Sequence, residues 1–336
     1  MIAWSQLPAS ALEAVWSTEA LIPEIPERYE FEAFIGRGGQ GSVHRAMDRR
    51  LGRFVAIKLV QTENIERLRS EAELLARLNH PSVPQVYEDG LTTEGEGYVV
   101  MEYIAGARLD EWLASDPTLQ ERLAVFTQIA AAIEHAHGRG VLHRDIKPAN
   151  IIVGDDGRAV LLDWGLAAGR GDRGICGSPI FAAPEQLDGQ VTDHRADVFC
   201  LGVLAYYLIS GQTPYHRTIE NFEEFRRLRS GLVRIPLHRR VPLISRGLSA
   251  LCDRAMSPQP GARFQSVKAL MQNLEHCQSP KRSIWGWILA LMIVGTLGFL
   301  AGWWWQSQTP KEIPPETPEE TPVEIPATET PEKESP

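Results

Sequence analysis

Only four of the 336 residues are cysteine, Cys176, Cys200, Cys252 and Cys277, and none stands at a spacing to histidine or to another cysteine that would make a zinc site. No stretch concentrates lysine and arginine, and the formal charge is −9, which excludes a nucleic-acid surface. No Lys or Arg precedes Arg28, and Glu13, Glu19 and Glu24 break every apolar run before it. The basic-then-apolar order of a secretory leader is therefore missing. Residues 1–28 read as an extension in which Leu12, Val15, Trp16 and Leu21 suit a short helix packed on the body.

Charge of either sign is lacking from residue 284 to residue 305, twenty-two consecutive positions, where a hydrocarbon core asks for about 20 residues of helix. Trp285 and Trp287 stand at one end and Trp303, Trp304 and Trp305 at the other, as amphipathic rings favour the two interfaces. This run reads as one transmembrane helix, preceded by a basic linker over 278–283. Lys281 and Arg282 precede it and Lys311 is the only base near its far end, so the positive-inside rule expects a single-pass cell-membrane protein with its large N-terminal part cytoplasmic and its tail outside. All four thiols then lie on the reducing side, and disulfides are not expected. The tail, 306–336, holds two Lys and eight Glu, giving −6 and leaving −3 for the rest. Dominated by Pro, Glu and Thr, it cannot bury a core and is expected to be extended and disordered, in part polyproline-like, with no folded sensor domain.

What is present lies between these ends. Gly36-Arg37-Gly38-Gly39-Gln40-Gly41-Ser42-Val43 puts glycines where a backbone turns sharply and can lie close over phosphates, although such a run alone is more often a plain hairpin turn. Val55-Ala56-Ile57-Lys58 then sets a lysine on an apolar strand, an awkward place unless its ammonium has anionic partners. Residues 70–78 place Leu74, Leu75 and Leu78 at helical spacing and carry Glu71 and Glu73. Residues 98–104 form an apolar strand; beyond it, 119–137 and 196–210 read as helices. The pattern is α+β, a small strand-rich part with one helix followed by a larger helical part, and roughly 250 residues give ample core.

Two further motifs, His143-Arg144-Asp145-Ile146-Lys147-Pro148-Ala149-Asn150 and Asp163-Trp164-Gly165, complete the series, with Asp145, Asn150 and Asp163 five and then thirteen residues apart. In this order and spacing, from about Tyr29 to about Cys277, the motifs resemble the eukaryotic-type serine/threonine protein kinases, in their bacterial membrane-anchored style. The resemblance implies a bilobal protein kinase fold over 29–277, with a β-rich N-lobe at 29–104 and an α-helical C-lobe at 105–277. It implies ATP and Mg2+ as cofactors and Ser/Thr hydroxyls of proteins as substrates. By resemblance Lys58 holds the α- and β-phosphates, and Glu71, ten residues before Pro81, is its partner, which leaves Glu73 a solvated neighbour. Asp145 takes the proton of the substrate hydroxyl, Lys147 balances charge on the moving phosphoryl group, and Asn150 and Asp163 ligate Mg2+. Gly36, Arg37, Gly38, Gly39, Gln40, Gly41, Ser42 and Val43 cradle the nucleotide, with Val43, Ala56 and Ile152 around adenine. Met101 guards the back pocket, and the Glu102 carbonyl and Ile104 backbone meet adenine.

Scaffold roles follow from the same resemblance. His143 packs with Leu75, Val86 and Trp164 in an apolar stack; Glu185 of Ala183-Pro184-Glu185 pairs with Arg263; Asp197 holds the catalytic-loop backbone. The chain departs from the family pattern at Trp164 and in its activation segment, where Ser178 is the only hydroxyl between Asp163 and Glu185. Phosphate on Ser178 would stand beside Asp145 and Lys147 and is expected to inhibit, with Arg170, Asp172 and Arg173 supplying fixed ionic contacts instead. These departures keep a second reading open, a membrane-tethered pseudokinase that binds nucleotide or partners without transfer. A small-molecule phosphotransferase of related fold fits less well with the segment ending in Ala183-Pro184-Glu185. Gly298 and Gly302, a small-xxx-small pair, suit a homodimer through the membrane helix.

Overall fold

The computed structural model describes residues 25–38, 41–61, 64–164, 179–215, 234–278 and 284–308. Gly39, Gln40, Arg170, Asp172, Arg173, Cys176, Ser178, residues 1–24 and the tail from 309 lie outside the described residues.

The N-terminal part is built on an antiparallel sheet in the order β1-β2-β3-β5-β4, from β1 (Tyr29–Gly38), β2 (Gly41–Asp48), β3 (Arg53–Val60), β4 (Val86–Leu91) and β5 (Gly97–Glu102). Side chains alternate across a strand, so the central β3 serves two cores. Val55, Ile57 and Leu59 pack with Tyr29, Ala46, Tyr98 and Val100 on one face. On the other, Val60 meets Val99 and the helix α1 (Ile65–Arg77) through Leu68 and Ala72. Lys58 shares the parity of Val60, and the two-residue period therefore aims it at α1.

The expected strand over 98–104 stops at Glu102. The neighbouring β4 begins at Val86, opposite Met101, so residues past Glu102 have no ladder on that side, and the chain leaves the sheet as a hinge. It continues into β6 (Gly106–Arg108), which joins β7 (Ile151–Gly154) and β8 (Ala159–Leu161) in a second, three-stranded sheet in the order β6-β7-β8.

Helices build the rest: α2 (Leu109–Ala114), α3 (Leu119–His137), α4 (Pro184–Leu187), α5 (His194–Ser210), α6 (Leu237–Arg240), α7 (Arg246–Ala255) and α8 (Val267–Gln278). Thr118 starts α3 with a capping box: Glu121 N donates to its Oγ1 at 3.3 Å and Thr118 N donates to Glu121 Oε2 at 2.7 Å. Asp193 caps α5 by accepting from Arg195 N at 2.8 Å, so this helix begins two residues before the expected 196. Burial of α5 is almost complete from Ala196 to Ile209, as an all-round apolar helix requires. Gly202 permits the closest approach on it, since a Cβ there would lie 2.7 Å from Ala255 Cβ at the end of α7. The main core runs from Leu75 of α1 and Leu78 just past its end through α3 and α5 to α7 and α8, joining the two lobes.

Short α4 is fastened to this body by one buried side chain. Arg263 places all five N–H donors: Nη1 and Nη2 on Glu185 Oε1 and Oε2 at 2.6 and 2.8 Å, Nε on Ser257 O at 2.7 Å, and the remaining two on Arg195 O at 2.8 Å and Pro258 O at 3.0 Å. Lysine has three donors and no fork.

A separate unit holds α9 (Ile284–Gln308), which runs three residues past the expected 305. Leu291, Met292, Ile293, Val294, Leu297, Phe299 and Leu300 are all exposed on it. Among residues whose side chains are described, no helix is long and apolar enough to cross a membrane; the expected span also takes in 284–290, whose side chains lie outside that set.

Arg263→Lys is expected to destabilise the protein by about 3 kcal/mol, the low end for breaking a buried pair by removing part of one partner. Denaturant unfolding followed by tryptophan fluorescence measures this.

Candidate active site

Lys58 and Glu71 meet where the parity of β3 and the inner face of α1 bring them. Lys58 Nζ donates to Glu71 Oε1 at 2.9 Å and Oε2 at 2.7 Å, with both side chains largely buried. Glu73, two residues on, points to solvent, because only every third or fourth helix position shares the inner face. Asp163 Oδ1 lies 3.9 Å from the same ammonium, so one lysine faces two carboxylates across the lobes.

Above Lys58 the β1–β2 hairpin closes with Gly38 opposite Gly41. A Cβ at Gly41 would fall 1.8 Å from Leu59 O, so this position admits no side chain. Gly36 and Arg37 lie on β1, with Arg37 exposed; Ser42 and Val43 open β2 and are half-buried, and Ser42 Oγ is 3.0 Å from His44 Nε2. Ala56 pairs in register with Met101. Glu102 directs its carboxylate to Arg158, Ile104 is buried just past the hinge, and Ile152 is half-buried on β7.

The loop carrying Asp145 contains a left-handed residue that is not glycine, Arg144 with φ +69°, a conformation worth about 1–3 kcal/mol of strain that surrounding contacts must hold. Its backbone groups find side-chain partners one by one. Asp197 Oδ2 accepts from His143 N at 3.0 Å and Oδ1 from Arg144 N at 2.8 Å. Gln186 Nε2 donates to Arg144 O at 2.8 Å, Asp145 N donates to His143 Nδ1 at 3.2 Å, and Asn150 Nδ2 donates to Asp145 O at 2.9 Å. The Asp145 carboxylate, thus placed, accepts from Lys147 Nζ at 2.6 Å and Asn150 Nδ2 at 3.2 Å through Oδ2.

Electrostatics around Asp197 are governed by full burial. Burial alone would push its carboxyl up, but the hydrogen bond from His137 Nε2 at 2.7 Å and that from the Arg144 amide outweigh it and hold the group below the usual carboxylate value. His143 moves the other way from its ordinary value: burial lowers its pKa despite the surrounding carboxylates, and the ring stays neutral. Nδ1 accepts from Asp145 N, and Nε2, 3.2 Å from Leu162 O, is the donor. Both nitrogens are committed, so His143 is no base. Its ring meets Trp164 edge-on at 4.5 Å, and Trp164, with Leu75 and Val86, belongs to the core that joins the lobes. The indole N–H donates to Leu161 O at 3.0 Å.

Three contacts were not legible in the motifs. His137 is the last residue of α3 and carries no local signal for its bond to Asp197. Gln186 follows Ala183-Pro184-Glu185 and reads as an ordinary helix residue. Arg108 reaches from β6 across the cleft mouth, donating through Nη1 to Ala149 O at 3.0 Å, with Nη2 3.8 Å from where a Cβ on Gly36 would stand.

This constellation is that of a protein kinase: residues 29–277 match the protein kinase domain family, and the chain belongs to it. It is 31% identical over 270 residues to the serine/threonine-protein kinase PknB of Mycobacterium leprae, 32% over 282 to the serine/threonine-protein kinase pkn3 of Myxococcus xanthus, and 32% over 271 to a probable serine/threonine-protein kinase of Streptomyces coelicolor. These matches take in 75, 77 and 74% of this chain and 43, 51 and 40% of the three relatives, so the chain spans about half or less of their length.

Protein kinases of this family use ATP and Mg2+, and the donor set here suits both. Asn150 turns its Nδ2 to Asp145, which leaves Oδ1 as its ligand atom, and Asp163 is 46% exposed. One amide oxygen and one carboxylate are the hard, sparse set that Mg2+ takes alongside phosphate oxygens and water. Among the described residues no cluster of three or more His, Cys, Asp or Glu could hold a metal ion by itself.

Asp197→Asn is expected to cost about 3–5 kcal/mol near pH 7, because an amide cannot replace a buried carboxylate that receives three N–H donors. Since the folded-state pKa is depressed, the wild-type contribution is complete above the unfolded value of about 4 and is lost as pH falls through the lower folded value. Denaturant midpoints of wild type and Asp197→Asn should therefore converge toward acid pH.

Proposed function

We propose that this chain is a serine/threonine protein kinase that transfers the γ-phosphoryl group of ATP to Ser/Thr hydroxyls of proteins, itself included, and that α9 anchors it in the cell membrane with the kinase body on the cytoplasmic side. The observation that carries the enzymatic reading is the convergence of Lys58, Glu71 and Asp163 within 3.9 Å, opposite a loop on which Asp145, Lys147 and Asn150 hydrogen-bond one another.

In the proposed reaction the substrate hydroxyl oxygen bonds to the γ-phosphorus as the bond from phosphorus to the β–γ bridging oxygen breaks, and ADP leaves. Asp145 accepts the hydroxyl proton. Lys147, already 2.6 Å from that carboxylate, offsets negative charge on the phosphoryl oxygens. Lys58, oriented by Glu71, donates to the α- and β-phosphates. Mg2+ held by Asn150 and Asp163 supplies neutralisation of the triphosphate charge. Little covalent chemistry falls to the protein; alignment and preorganised charge lower the barrier. Trp164 supports transfer over a silent scaffold, because its ring is packed in the inter-lobe core and Asp163 stands beside Lys58.

The anchoring reading rests on α9. Twenty-five helical residues extend about 37 Å at 1.5 Å each, against a hydrocarbon core of about 30 Å. Its described large apolar side chains are exposed, a groove on it is lined by Met292, Gly295, Thr296, Phe299 and Leu300, and Gly298 and Gly302 form a small-xxx-small pair on the same helix. A second copy of the helix packed there would make a homodimer and raise the local concentration of kinase bodies.

Lys58→Met and Asp163→Ala should each lower transfer from labelled ATP to a generic protein substrate by about 1000-fold or more, since each charge addresses phosphate or metal, while each variant still unfolds cooperatively as a folded domain. Wild-type turnover in either would sink the site assignment, and an inactive wild type would favour the scaffold. The full chain should remain with membranes after alkaline carbonate washing, and Gly298→Ile with Gly302→Ile should weaken self-association in an in-membrane assay.

A further inference from the structure

We propose that Gln186 is a positioning residue that couples the anchored end of the substrate-facing segment to Asp145, an assignment that rests on the kinase reading above. Gln186 is completely buried on α4, where an uncharged amide must find partners for both ends. Its Oε1 accepts from Ala183 N at 2.9 Å, closing the first turn of α4, and lies 3.6 Å from Cys200 Sγ. Burial raises the Cys200 pKa well above the ordinary thiol value, so this group stays an S–H donor. Capping α4 uses only that oxygen. Nε2 goes elsewhere, to Arg144 O at 2.8 Å, forty-two residues away in sequence.

That carbonyl belongs to the peptide plane immediately before the Asp145 Cα. Its other end, Asp145 N, is held by His143 Nδ1 at 3.2 Å. The plane is therefore gripped at both ends, by the interior stack through His143 and by the activation-segment end through Gln186. Left-handed Arg144 makes the grip consequential, because the strained φ of +69° persists only where the surroundings over-determine it. Asp197 holds the amide of Arg144 from α5; Gln186 is the matching hold on its carbonyl from α4. Since Arg263 clamps Glu185, the neighbour of Gln186, to the body, Gln186 links that anchored end of the segment directly to the peptide plane of Asp145.

The test uses the purified full chain in detergent and three readouts on Gln186→Leu and Gln186→Glu. Gln186→Leu should lower kcat about 10- to 100-fold, the scale expected when a reacting group is misplaced by a fraction of an ångström to an ångström, with KM for ATP within about twofold of wild type, as expected for a loss confined to alignment. Gln186→Glu keeps the oxygen that accepts from Ala183 N. When ionised it repels Arg144 O; when protonated it can donate to it. Its activity relative to wild type should therefore rise as pH is lowered, a profile that a purely structural role would not produce. Hydrogen exchange of the wild type and Gln186→Leu should show loss of protection confined to residues 143–146 and 183. This readout needs no turnover, so an inactive wild type would overturn the kinase reading while exchange still decides the coupling. Wild-type kcat in Gln186→Leu, a pH-independent defect in Gln186→Glu, or unchanged exchange at 143–146 would each overturn the proposal.

Discussion

One buried carboxylate sets the geometry on which the candidate site depends. Asp197 has no contact with solvent, and an uncompensated charge in that position would be strongly unfavourable. Three N–H donors from two segments compensate it: His137 at the end of α3, and the amides of His143 and Arg144. The requirement works in both directions. The carboxylate needs those donors to remain ionised while buried, and the loop needs the carboxylate because the left-handed turn at Arg144 removes it from any backbone ladder.

The buried ion pair of Arg263 and Glu185 does for α4 what Asp197 does for the loop. Arg263 and Glu185 form a fork-to-fork contact with every guanidinium N–H occupied. Geometry of this quality is what lets a buried pair offset its desolvation. The two devices meet at Gln186, next to Glu185 in the chain and bonded to the carbonyl of the residue whose amide Asp197 holds. Catalysis by alignment tolerates little play, and the fold answers with polar groups that are buried and paired, not with more apolar packing.

Much of this was legible in the sequence, and the limits have physical causes. The need of Lys58 for an anionic partner on its apolar strand was readable from residue type, and the contacts of Lys58 with Glu71 and of Glu185 with Arg263 lie where the family resemblance implied them. Motifs encode residues whose chemistry is specific, and those are readable. Strand β5 ended two residues early because its end depends on where β4 begins, which is a tertiary fact. His137, Gln186 and Arg108 escaped because their work is done by contacts forty or more residues away, and nothing local distinguishes them from helix or turn residues. Ser178 and the Arg170–Arg173 stretch lie outside the described residues, so the unusual activation segment stays an inference from composition.

Trp164 shows how a departure from a family pattern can be reconciled with function. An indole is larger than the phenyl ring it replaces in that pattern and brings an N–H that burial would leave costly. Here the ring fills the junction between Leu75 and His143, and the N–H donates to Leu161 O three residues upstream. The bond ties the ring to the end of β8, and with it the preceding residue, Asp163, whose φ of +57° is itself left-handed. A phenyl ring has no N–H to give to Leu161 O, so in this chain the indole adds a hydrogen bond beside Asp163. The residue that most invited a scaffold reading is thus, in its surroundings, buried and hydrogen-bonded next to the carboxylate that faces Lys58.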